Sequence, residues 1–248
     1  NHSEALACCL QALDCYRGTG HRVDEGNMLN TIASIYHELG DTDRAIVNYE
    51  AAMNANAQLN RPDFDAITLA NVSSLRAERG EFDVAIEIGE RALSLCRLHA
   101  VGFLPEVLSA LASAYGGRGD FDQARTLLNA ALAMLDASSV SFDDAVRASV
   151  ELSFGQVEHS AKNESDAIAH FCSALGLAEV INAKPVAFSA HSALADLYKG
   201  LGRFEEAVYH LEAKFAINQS IFNEGTDIRI KTLQVAHEAE ESRQQAEI

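Results

Sequence analysis

Little in this chain is basic. Lys and Arg number 19 against 36 Asp and Glu, a formal charge of −17. A surface that holds a phosphate backbone needs clustered cations. No such cluster occurs, which argues against nucleic acid. Two readings of the acidity stay open: solubility alone, or a basic peptide or protein partner. Proline is scarce too, with three in 248 residues. That fits long helices, because an interior Pro breaks one. The residues from Asn1 onward show no signal-peptide pattern, and no apolar run is long enough for a membrane span. The five cysteines (Cys8, Cys9, Cys15, Cys96 and Cys172) form no CxxC pair. They point to a reducing cytoplasm and to free, mostly buried thiols within helices. Catalytic signatures are missing as well: no P-loop, GxSxG, HExxH or dinucleotide fingerprint occurs. Gly116-Gly117-Arg118-Gly119 is glycine-rich but follows a helical pattern, so it reads as a helix C-terminus. The expectation is a non-enzyme with no cofactor and no metal.

What is present is repetition. Leu39-Gly40-Asp41-Thr42-Asp43-Arg44-Ala45-Ile46 returns as Arg79-Gly80-Glu81-Phe82-Asp83-Val84-Ala85-Ile86. It returns again as Arg118-Gly119-Asp120-Phe121-Asp122-Gln123-Ala124-Arg125 and as Leu201-Gly202-Arg203-Phe204-Glu205-Glu206-Ala207-Val208. Ala45, Ala85, Ala124 and Ala207 are 40, 39 and 83 residues apart, and the last step is two periods. A degenerate copy, Lys162-Asn163-Glu164-Ser165-Asp166-Ala167-Ile168, fills the gap. Ala5 lies one period before Ala45, so the chain opens inside a further copy. That start, without an initiator Met, leads us to expect a portion of a longer protein.

Each copy joins two helical patterns. The Gly ends the first helix in a left-handed conformation. The acids behind it cap the second and meet its dipole. In the degenerate copy we expect an irregular turn, with Asn163 taking the left-handed role that Lys162 fills poorly. The Ala five residues after the Gly lets helices approach closely. A second small position follows at Ala52, Ala92, Ala131 and Ala174, but is Lys214 in the last copy, which suggests an end to the array. Tyr36, Tyr115 and Tyr198 each precede their Gly by four residues, and Tyr49 and Phe171 share a place in the second helix. Gly89 stands where other copies place a large residue, so a neighbour is expected to fill that space.

This register of small, aromatic and Gly positions resembles the tetratricopeptide repeat, over about residues 1 to 222. The resemblance implies an all-α, right-handed solenoid of helix–turn–helix repeats, with a partial first repeat and five more. Repeats of this family are usually shorter, about 34 residues, so these helices are expected to be extended. The connectors are placed at Asn60-Arg61-Pro62-Asp63 and Ser138-Ser139-Val140-Ser141.

In such a fold the first helices line a concave face. Helical phase, counted from the Tyr and the Gly, points Asn30, Ser34 and His37 there in the first full unit. Ala70, Ser74 and Ala77 follow, with Asn71 beside them, then Ser109, Ser113, Gln156, His159, Ser189, Ser192 and Asp196. Short polar side chains leave room for an extended peptide or a helix, and Asn can bond both backbone groups of a peptide. A solvated polar face is the alternative. His170 and His210 hold equivalent places in successive repeats, but a metal needs more ligands than two.

Residues 223–248 are expected to form a separate C-terminal helical stretch. Ile228, Thr232, Val235, Ala239, Ser242 and Ala246 are spaced as a coiled-coil seam, although of small residues and short length. This stretch either caps the solenoid or acts as a linker helix. The run from Phe222-Asn223-Glu224 through Lys231-Thr232-Leu233-Gln234-Val235 to Ala246-Glu247-Ile248 resembles the tail of repeat-containing bacterial signalling proteins. In those the helix continues into an output domain, most often a GGDEF diguanylate cyclase. The resemblance implies a cytoplasmic regulatory input module that binds protein or peptide and dimerises through its C-terminal helix. A free-standing scaffold, adaptor or peptide-responsive regulator is the alternative.

Overall fold

The computed structural model describes residues 2–56, 61–99, 102–137, 143–221 and 223. The described residues form helices and no strand. They are α1 (His2–Thr19), α2 (Arg22–Glu38), α3 (Thr42–Asn56), α4 (Pro62–Glu78), α5 (Phe82–His99), α6 (Leu104–Arg118), α7 (Phe121–Ala137), α8 (Asp143–Ser160), α9 (Glu164–Ile181) and α10 (Lys184–Gly200). A last helix, α11, covers 204–221. Among the described residues no helix is long and apolar enough to cross a membrane. The chain divides into two compact units. One contains α1 to α3, and the other spans Asn60–Ile217.

The repeated turn has one geometry throughout. Gly40, Gly80, Gly119 and Gly202 sit at φ of 75°, 77°, 99° and 71°. In each, two amides close back on the helix: Gly40 N donates to His37 O and Asp41 N to Tyr36 O, both at 2.8 Å. The degenerate copy keeps this geometry, which corrects the expectation for it. Lys162 itself takes the left-handed conformation at φ 65°, and its amide donates to His159 O at 3.0 Å. Asn163 has φ −93° and starts α9. The closing bonds fix which residue must be left-handed, and a non-Gly residue there costs on the order of 1–2 kcal/mol.

Capping is less general than the sequence implied. Asp41 does accept from Arg44 N at 3.1 Å. Asp120 instead takes the Arg118 guanidinium, and Glu81 that of Arg76. Asp43, Asp83 and Asp122 still occupy the first turn of their helices, where the dipole favours them. Connector bounds shift too: Pro62 opens α4 rather than standing in a loop, since its fixed φ suits a helix start. Ser138 to Ser141 and residues 57–60 lie outside the described residues.

The small positions form the seams of the packing. Ala45, Ala85, Ala124 and Ala167 are fully buried, as are Ala52, Ala92, Ala131 and Ala174. Gly89 is buried against Leu111 of α6, so a neighbour does fill its place. Gly155 likewise leaves room for the Phe171 ring. The thiols contradict expectation. Only Cys96 is buried, whereas Cys8, Cys15 and Cys172 are exposed and Cys9 is intermediate. Helical periodicity places all five in helices, but which face each takes depends on the packing of its neighbours.

Candidate binding face

In the unit Asn60–Ile217 the first helices α4, α6, α8 and α10 pack side by side in a row. No comparable packing joins α5 to α7 or α7 to α9. A layer that is tight on one side and open on the other must bend toward the tight side. The first helices therefore line the inner face.

The expected groove residues separate into two kinds. Asn71, Ser74 and Ala77 of α4 are half-buried, and Ala70 is buried beneath them. Gln156, His159 and Asp196 are exposed. Others direct their polar atoms into the fold. Ser109 is buried, and its Oγ lies 3.0 Å from Ser153 Oγ. Ser113 Oγ lies 3.1 Å from the same oxygen. This hydroxyl cluster ties α6 to α8. Ser192 accepts from Lys214 Nζ at 2.8 Å, so it faces α11 rather than the groove. The cause is Lys214 itself, which stands where the other repeats have Ala and also lies over the Phe188 ring. Ser189 is half-buried. In the other unit, Ser34 Oγ is 3.0 Å from Tyr49 Oη, while Asn30 and His37 of α2 are half-buried. The seam residues Ile228, Thr232, Val235, Ala239, Ser242 and Ala246 lie outside the described residues.

Ser153 was not anticipated. It holds the place of Asn71, nine residues before the turn, and applying that place to every repeat would have found it.

Two polar pairs occupy one structural position. In the fourth repeat His170 Nδ1 is 2.6 Å from Glu151 Oε2, with Phe154 stacked on the imidazole at 4.1 Å. In the fifth, His191 Nδ1 is 2.8 Å from His210 Nδ1, so one ring donates and the other accepts. Both are buried, with Tyr198 stacked on His210 at 5.5 Å. Burial pushes both imidazoles below the ordinary value; Glu179 opposes this at His191, and His191 adds to it at His210. His170 and His210 thus turn to different partners, Glu151 and His191. Among the described residues no cluster of three or more His, Cys, Asp or Glu could hold a metal.

A third polar element is Glu158, at the place of the repeated Tyr. Arg125 of α7 holds it with two bonds, 2.7 and 2.9 Å, and Asn163 donates at 2.7 Å. The Arg125 bonds, then that of Asn163, hold its carboxyl below the usual range despite burial. Arg125 stands where other repeats have Ile46, Ile86 and Ile168. The two departures from the pattern compensate each other.

Comparison with known proteins fits this geometry. A tetratricopeptide-repeat family profile matches residues 1–58, 24–98 and 64–137, and a second profile of the same description matches 189–213. The chain belongs to the tetratricopeptide-repeat family. The stretch between the matched regions contains the fourth repeat, where Lys162 and Glu158 depart from the pattern. Solved structures share the fold of these repeats. BtubC (BKLC) from P. vanneervenii superposes with TM-score 0.58 at 17% identity, over 89% of this chain and 92% of that one. A Rap protein solved with Competence and Sporulation Factor gives TM-score 0.67 at 15% identity, over 84% and 62%. A thermophilic repeat protein of Thermus thermophilus, TTC0263, gives 0.57 at 21% identity, over 84% and 99%. No curated protein matches the sequence.

Proposed function

We propose that this tetratricopeptide-repeat chain is a non-catalytic binding module that takes an extended peptide or partner segment along its first-helix face. The observation that carries the reading is the α4 surface. Asn71 and Ser74 stand half-buried, with the small side chains of Ala70 and Ala77 beside them. An Asn side chain there offers a donor and an acceptor to a peptide backbone. The net charge of −17 favours a basic segment. The similar Rap fold, solved with Competence and Sporulation Factor, lends support by analogy.

The finer reading is a cytoplasmic regulatory input for a larger bacterial signalling protein, with a diguanylate cyclase as its output. It rests on the resemblance of residues 222–248 to the tails of such proteins. An in-frame output domain encoded after Ile248 is the expected finding. A stop codon there would favour a free-standing adaptor.

The groove is tested by selecting peptides from a random display library and titrating the winners. Asn71→Ala and Ser74→Leu should each weaken binding about tenfold or more, the loss of one or two hydrogen bonds. Substitutions on the exposed side of α7, such as Thr126→Leu, should not. Peptides indifferent to the first pair and sensitive to the second would overturn the reading.

A further inference from the structure

Helix α11 carries an exposed apolar stripe. Phe204 is 66% exposed, Val208 52%, Leu211 47% and Phe215 63%. The same places in earlier repeats are covered. The Phe82 ring, equivalent to Phe204, lies against Gly117 of the next first helix. Ile86 and Leu93 are buried. Phe171 is buried, with Ile168 and Leu175 packed around a cluster that includes Leu194 and Leu197 of α10. The stripe is therefore the stacking face of the last repeat, built to receive a helix. Residues 223–248 repeat none of the Tyr, Gly and Ala positions that mark a further first helix.

We propose that a second copy of this chain covers the stripe, α11 against α11 in antiparallel pairing about a two-fold axis. The stripe reads the same in both directions. Its spacing is 4-3-4, with Phe at both ends and branched aliphatic residues between. Antiparallel pairing sets Phe204 against the other copy's Phe215 and Val208 against its Leu211, each contact occurring twice. That is the self-complementarity a two-fold interface requires, in the alternating spacing by which helices interlock. Exposed aromatic and aliphatic area of this kind covers roughly 1,000 Å² over both copies, the low end for a specific interface. The dimer is accordingly weak, forming in the micromolar range. Glu205 and Glu212 flank one edge of the stripe. Pairing brings that edge against its copy, so salt should strengthen association.

Sedimentation equilibrium on the full chain tests this. The mass should rise with concentration from 26.8 kDa toward twice that value. Val208→Glu and Leu211→Lys should each remain monomeric and folded by circular dichroism. An equimolar mixture of the two should dimerise again, because the pairing sets position 208 of one copy against position 211 of the other. A wild-type chain that stays monomeric at high concentration overturns the proposal, whether the stripe is then covered by the chain's own C-terminal residues or by a different protein. Dimers that survive both substitutions, fail to recover on mixing, or weaken with salt overturn it too.

Discussion

Helices α9 and α11 are the second helices of successive repeats, and the same face of each meets opposite surroundings. On α9, Phe171 is fully buried, and Ile168 and Leu175 pack around it. On α11, Val208, Leu211 and Phe215 face outward. The residues are chemically alike, so composition does not account for the difference. Position in the array does, because each repeat's stacking face is buried by the repeat that follows. Burial in such a protein belongs to the pair of neighbours rather than to either repeat.

The largest expected effect falls on the covered side. Phe171→Ala should cost about 3–5 kcal/mol in urea unfolding, whereas Phe215→Ala in dilute solution should cost within about 0.5 kcal/mol. Equal costs would break the contrast. Next is the ion pair between the third and fourth repeats. Glu158→Ala leaves Arg125 without its main partner and should cost about 2 kcal/mol. Restoring the pattern of the other repeats with Arg125→Ile and Glu158→Tyr together should recover most of that. A double variant as weak as the sum of the singles would refute the compensation. Adding a methyl at the covered face of α5, by Gly89→Ala, should cost about 1–2 kcal/mol, since the new Cβ would meet Leu111 Cδ1 at 2.9 Å.

The fifth repeat adds a dependence on pH. Burial holds His191 and His210 below the ordinary histidine value of 6.5. The unfolded chain therefore takes up protons that the folded chain resists. Stability is fully present above 6.5 and falls as the pH drops through that value. The urea midpoint should decline between about pH 7.5 and 5.5, and His210→Phe should flatten that decline. A slope indifferent to the substitution would remove the pair as its cause. The smallest effect is at the turn of the fourth repeat, where Lys162→Gly should stabilise by about 1 kcal/mol by relieving the left-handed Lys. Loss of stability there would contradict the shared geometry.

Periodicity made the fold legible. Gly40, Gly80, Gly119 and Gly202 located the turns, and the buried Ala positions located the seams, because those places have steric requirements that few residues meet. Lys162 shows the limit: the turn imposes its geometry on a residue poorly suited to it, through closing bonds that residue preference does not encode. The binding face was legible in part. The resemblance identified the inner helices and phase the residues on them, but which hydroxyls turn inward depends on partners in other helices. Ser109 and Ser113 depend on Ser153, and Ser192 depends on Lys214, far along the sequence. The His191–His210 pair was hidden for the same reason, since its members were scattered residues until α10 met α11.

The contrast between α9 and α11 is tested most directly by NMR with a soluble nitroxide, on a dilute solution of this chain. Side-chain signals of Phe204, Val208, Leu211 and Phe215 should broaden strongly, and those of Ile168, Phe171 and Leu175 should not. The α11 signals should become protected as concentration rises. Protection of both helices at every dilution would contradict the account, because the last stacking face would then be covered within a single chain.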